Sequence, residues 1–229
     1  MEKSPAKRHI AIVEPCRMTE VGLRHFFETA AGDNYTVHFF RNYVELKEAL
    51  DTRTFFSVIY SLSGSREQRR EGLVLLSELS QQYPKTQRIM LANDEREARL
   101  VSHLAPSGLH GIISKTAPLD ILQTQLVTLL RETRRINVNA HNHWYVSNSR
   151  MLSPTERAIL QFMAYGYSMP EIAAQLERNI KTIRAHKFNA MTKLGVSSDM
   201  GLLHAADILI NIPVVGEEYA VRESAIVAH

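Results

Sequence analysis

Up to residue 131 the chain switches repeatedly between two hydrophobic rhythms. Short apolar, β-branched runs at residues 9–13, 35–40, 55–62, 88–92 and 111–114 read as strands. Between them, apolar side chains recur at helical spacing over 19–31 (Val21, Leu23, Phe26, Phe27, Ala30), 43–50, 73–82, 95–104 and 118–131. Asn42 is placed to cap the second of these helices, Tyr83-Pro84 ends the third and Pro106 closes the fourth. Five strands alternating with five helices predict right-handed βαβ units and a parallel sheet covered on both faces. The expected fold for residues 8–131 is therefore α/β, a doubly wound, five-stranded, flavodoxin-like sheet.

Residues 132–150 break the pattern. The stretch is rich in Asn and Arg, lacks periodicity and reads as a linker. Its histidines, His141 and His143, have no Cys or further His pair at ligand spacing, so a solvated linker is expected and no metal site. Residues 151–211 then read as all-α, and 212–229 form a tail without a usable pattern.

The all-α segment is punctuated clearly. Ser153-Pro154-Thr155-Glu156 is a capping box with proline at the first helical position, and Ser168-Met169-Pro170-Glu171 repeats the arrangement just after Gly166. Ile159, Leu160, Phe162 and Met163 give the first helix an apolar face; Ile172, Ala173 and Leu176 do so for the second. Asn179 caps a third helix that ends at Leu194-Gly195. Two helices over 168–176 and 179–194, joined by a few residues, have helix-turn-helix spacing. Between Arg178 and Lys193 there are five basic residues (Arg178, Lys181, Arg184, Lys187 and Lys193) and no acidic one, while Ile183, Ala190, Met191 and Leu194 supply an apolar side. A helix anchored on one side and cationic on the other suits the major groove of double-stranded DNA.

Composition changes little. With 45% hydrophobic and 22% charged residues, the 229-residue chain is ordinary for a soluble globular protein, and a net charge of +3 is too small to argue for nucleic acid without the clustering above. One cysteine, Cys16, excludes an internal disulfide and fits a reducing cytoplasm; it reads as a buried, unreactive thiol. No apolar run is long enough to span a bilayer, and residues 1–8 are polar, so a cytoplasmic protein without a membrane partner is expected. No Gly-rich phosphate loop follows the first strand, where the chain reads Glu14-Pro15-Cys16-Arg17, so neither an enzyme nor a cofactor is expected.

The segment resembles the DNA-binding domain of the LuxR/NarL class of bacterial regulators. Carrying the resemblance are Leu152, the Ser153–Glu156 start, Gly166, Glu171-Ile172-Ala173, Leu176, Lys181-Thr182-Ile183, His186 and Lys193-Leu194-Gly195-Val196. It implies a four-helix domain whose last helix, about 198–210, makes a dimer contact; Leu202-Leu203, Ala206 and Leu209-Ile210 give that helix an apolar stripe independently. On this reading Lys181 and Thr182 meet phosphate, Arg184 and Ala185 face the groove floor, and Lys187 and Phe188 lie one turn on. Arg184 is expected to contact guanine and Lys193 the DNA backbone. His186 packs or touches phosphate, and Phe188 meets a thymine methyl or the scaffold helix.

Five βα units ahead of such a domain resemble the receiver of response regulators, with its chemistry largely gone. A working receiver pairs acidic residues after the first strand, carries an acceptor aspartate after the third, a hydroxyl after the fourth and a lysine after the fifth. Here those positions fall on Glu14 and Pro15, Ser61, Ala92 and Lys115, so aspartyl phosphorylation is not expected. The stretches FFSVIYSLS, SREQRREGL and EARLVS resemble enteric regulators of this degenerate build, which act as auxiliary partners of an RcsB-type response regulator. The resemblance implies a bacterial, nucleoid-associated activator working as a heterodimer, with RNA polymerase left open as a further contact. The alternative is an interaction module whose helix-turn-helix docks a protein instead of DNA. Arg66, Arg69 and Arg70 read as a solvated loop.

Overall fold

The computed structural model describes residues 7–29, 34–104, 109–131 and 152–211. In chain order the elements are β1 (Arg8–Val13), α1 (Arg17–Thr29), β2 (Tyr35–Phe40), α2 (Tyr43–Thr52), β3 (Ser57–Ser61), α3 (Arg66–Gln82), β4 (Gln87–Ala92), α4 (Glu95–Leu104), β5 (Gly111–Ser114) and α5 (Leu119–Arg131). The helical part holds α6 (Pro154–Ala164), α7 (Met169–Gln175), α8 (Ile180–Leu194) and α9 (Asp199–Asn211). The linker with His141 and His143, and the tail, lie outside the described residues.

The sheet is parallel throughout, in the order β2-β1-β3-β4-β5, as the doubly wound expectation requires. Strands β3 and β4 are buried along their whole length, which is why they read as unbroken apolar runs rather than alternations. Leu23, Phe26 and Phe27 of α1 and Leu126 and Leu130 of α5 cover one face. Leu46 and Leu50 of α2, Leu73, Leu76 and Leu79 of α3, and Leu100, Val101 and Leu104 of α4 cover the other. Side chains of this second core run on without a break into the helical part, through Leu152, Ile159, Leu160, Ile183, Leu202 and Ile208.

Helix α3 departs most from expectation. It begins at residue 66 rather than 73, because Ser65 and Gln68 form a reciprocal capping box. Arg66, Arg69 and Arg70 are therefore helical residues and not a solvated loop. Gly72 lets this helix lie directly on β3: a Cβ there would stand 2.3 Å from the Tyr60 ring and 2.4 Å from its hydroxyl. Helix α1 also starts earlier than expected, at Arg17, which leaves Cys16 exposed at its N-terminus instead of buried. Hydrogen bonds from the Thr19 backbone and side chain, with the Met18 amide, hold this thiol below its ordinary value.

The two parts meet through α9, which packs on α6 behind it and on α3 and α4 in front. Arg66 donates to both carboxylate oxygens of Asp207, at 2.7 and 2.8 Å, and Asp207 is buried. Arg70 stands 3.8 Å from the same carboxylate. Beneath them Arg69, itself buried, pairs with Glu97 of α4 and donates to the Leu62 carbonyl at 3.1 Å. The seam is thus apolar packing closed by ion pairs.

Candidate nucleic-acid interface

Each helix of the carboxy-terminal domain is placed by a local device. Ser153 Oγ accepts the Glu156 amide, and the Glu156 carboxylate accepts the Ser153 amide at 2.7 Å. At α7, Glu171 accepts both the amide and the hydroxyl of Ser168, at 2.7 and 2.6 Å. The chain then reverses at Glu177, whose φ of 50° is left-handed, and the Arg178 amide closes on the Ala173 carbonyl at 2.9 Å. Asn179 caps α8 by accepting the Lys181 amide at 2.8 Å, and Gly195, with φ of 67°, ends it.

These devices fix which side of α8 faces out. Ile183, Ala190 and Met191 are buried against α6 and α7, and Leu194 packs beside them. Lys181, Arg184, Ala185 and Phe188 are all exposed, Phe188 at 65%, and they fall at i, i+3, i+4 and i+7. That spacing is one continuous face, of the kind a helix normally buries, here turned to solvent. Thr182 is exposed beside it and His186 is half-buried at its flank.

The five cations do not behave alike. Among the described residues, Arg178, Lys181 and Arg184 are without an ion pair. Lys193, expected at the DNA backbone, instead donates to both oxygens of Glu156, at 2.9 and 2.7 Å. Glu156 is buried, so the carboxylate that caps α6 also anchors the far end of α8. Burial pushes the Glu156 carboxyl up, but Lys193 and the Ser153 amide outweigh it and leave the group below its ordinary value. Lys187 is likewise held, 2.7 Å from Asp199 at the start of α9. Neither pairing is visible in the sequence, where the carboxylates lie 12 and 37 residues from their lysines and give no sign of facing them. The helix expected at a dimer contact, α9, buries Leu202, Ala205, Ala206, Ile208 and Leu209 inside this chain, between α6 and the α/β domain.

At the other candidate site, Glu14 is buried at the end of β1 and pairs with Lys115 at 2.8 Å. Ser61 lies buried at the end of β3, its hydroxyl without a hydrogen-bond partner, and Ala92 ends β4. Pro15 follows Glu14 and brings no carboxylate. The site is therefore a closed ion pair beside a serine, with a single carboxylate where divalent-cation chemistry needs several. Among the described residues no group of three or more His, Cys, Asp or Glu is arranged to hold a metal, and no helix is long and apolar enough to cross a membrane.

A doubly wound receiver-like domain joined to a helix-turn-helix domain with an outward cationic face defines a two-domain helix-turn-helix regulator of the response-regulator build. Residues 150–206 match the family of bacterial regulatory proteins designated luxR family, GerE. The chain is 48% identical, over 204 residues, to the transcriptional activator protein BglJ of Escherichia coli K12, covering 89% of this chain and 91% of that one. It is 31% identical over 149 residues to the oxygen regulatory protein NreC of Staphylococcus aureus, covering 59% and 68%. A solved structure of two RcsB dimers bound to two parallel DNAs is similar over 89% of this chain and 100% of that one, with 25% identity and a TM-score of 0.66. The chain belongs to the LuxR-type family of helix-turn-helix transcription regulators.

Proposed function

We propose that this protein binds operator DNA through α8 and activates transcription as an auxiliary partner of an RcsB-type response regulator, without aspartyl phosphorylation. The observation that carries the DNA reading is the solvent-facing Lys181–Arg184–Ala185–Phe188 face, free of carboxylates on its own helix. Lys181 and Thr182, in the first turn of α8, meet phosphate together with the helix N-terminal amides. Arg184 makes a bidentate contact to guanine, Ala185 lies against the groove floor, and Phe188 reaches a thymine methyl. His186 borders the backbone. Lys193 acts on the fold, through Glu156.

Similarity to the activator BglJ supports activation of transcription, and the RcsB-like build, seen in RcsB dimers on DNA, supports pairing with a regulator of that type. The closed Glu14–Lys115 pair supports a receiver that needs no phosphoryl group: the lysine already has a carboxylate partner at 2.8 Å. Ser61→Ala should leave reporter activation in cells unchanged, since a hydroxyl without a base beside it is a poor nucleophile; a clear loss speaks against phosphorylation independence.

The test is selection from a random duplex pool at about 150 mM salt, with the protein alone and with an RcsB-type regulator added, and Arg184→Ala alongside. A motif only with the partner supports the auxiliary reading, and relaxation at one position in Arg184→Ala supports the recognition helix. A motif with the protein alone refutes the need for a partner. No enrichment in either condition refutes DNA binding and favours a protein-docking helix-turn-helix.

A further inference from the structure

Arg184 and Lys187 are neighbours on α8, at i and i+3, yet only the arginine is at liberty. The Lys187 side chain is 14% exposed, and its ammonium stands 2.7 Å from Asp199 Oδ1. Asp199 is 68% exposed and sits in the first turn of α9, where the helix dipole favours a carboxylate whether or not the lysine is present. With its aspartate open to water, the pair is screened and adds little to folding stability. A DNA phosphate approaching Lys187 would meet the Asp199 carboxylate as well, and the pair presents no net charge to it.

We propose that Asp199 is a positioning residue of the DNA interface: it holds Lys187 off the phosphate backbone and so limits how many cations α8 commits to DNA of any sequence. This rests on α8 being the recognition helix. Lys193 is neutralised too, but by a buried carboxylate that also caps α6, so only the Lys187–Asp199 pair can be removed without disturbing a cap. The consequence is a lower baseline affinity for any duplex. Sequence-independent binding is driven by counterion release, and each phosphate neutralised steepens the dependence of log K on log salt by about 0.9. Withholding one cation lowers the affinity for every sequence by about the same factor, so that occupancy depends on base contacts such as those of Arg184 being added to it.

The measurement is fluorescence anisotropy of the full chain on a duplex of unrelated sequence, between about 50 and 200 mM salt, with circular dichroism melts to verify folding. Asp199→Asn should steepen the salt slope by about one and tighten binding about fivefold near 150 mM, the gain expected from one added phosphate contact. Lys187→Met should keep the wild-type slope, and the double variant should return to it. An unchanged slope in Asp199→Asn overturns the proposal. So does a slope about one unit shallower in Lys187→Met, because Lys187 would then already be on phosphate. If the wild-type chain shows no salt-dependent binding to any duplex, alone or with an RcsB-type regulator added, the recognition-helix reading itself falls, and the role of Asp199 with it.

Discussion

Replacing Arg66 with alanine tests how the two domains are joined. Asp207 is 3% exposed, and both of its carboxylate oxygens take hydrogen bonds from the Arg66 guanidinium. Without Arg66 the charge stays buried, with Arg70 at 3.8 Å as the nearest cation. Stripping one partner from a fully buried pair costs about 3–5 kcal/mol. Here the Arg66 side chain is 38% exposed, water screens part of the interaction, and Arg70 compensates for some of the rest, so about 1–3 kcal/mol is expected. The loss falls on domain docking, because α3 and α9 each remain packed on their own domain by apolar side chains. Urea unfolding of wild type, Arg66→Ala, Asp207→Ala and the double variant closes a cycle, with amide exchange of α9 reporting where the protection is lost. A coupling energy below about 0.5 kcal/mol, or protection lost evenly across both domains, refutes this account of the seam.

Three further outcomes follow from buried or strained groups. Burial, aided by the Arg88 charge, lowers His110 to about 4, so the folded state excludes a proton that the unfolded chain binds. Stability should be full above about pH 6.5 and fall as pH drops toward 4, by roughly 3 kcal/mol; His110→Asn should flatten the profile, and an unchanged fall in the variant counts against this origin. Lys193→Met leaves Glu156 buried with only its capping bonds and should cost about 2 kcal/mol in urea unfolding while keeping the salt slope of DNA binding; a shallower slope would mean that Lys193 reaches phosphate. Glu177→Gly relieves the left-handed backbone at φ 50° and should stabilise the domain by about 0.5–1 kcal/mol in thermal melts, with a loss of stability contradicting the strain.

The fold was legible because each layer writes its own rhythm: buried strands such as β4 as apolar runs, covering helices as apolar stripes, and α6 and α8 as capped segments. What stayed hidden depends on partners distant in sequence. The first two turns of α3, REQRREG, look like loop because Arg66 finds its carboxylate 141 residues away, at Asp207. The same reasoning explains Lys187 and Lys193. A run of cations marks the recognition helix, but which of them are already neutralised is decided by how α6 and α9 fold back on it. Cys16 was misplaced for a simpler reason: α1 starts two residues earlier than its apolar stripe suggests, and the helix start carries the thiol to the surface.

Gly72 acts as a spacer gauge. With no side chain between α3 and the Tyr60 ring, the helix lies closer to β3 than a residue bearing a Cβ could without a shift. Arg66 lies less than two turns along the same rigid rod, so that height sets where its guanidinium emerges relative to Asp207. A methyl at position 72 would meet Tyr60 head-on and raise the rod, shifting the far end out of line with its carboxylate. The tolerance of the joint between the domains is thus machined inside one of them, six residues from the arginine that spans it.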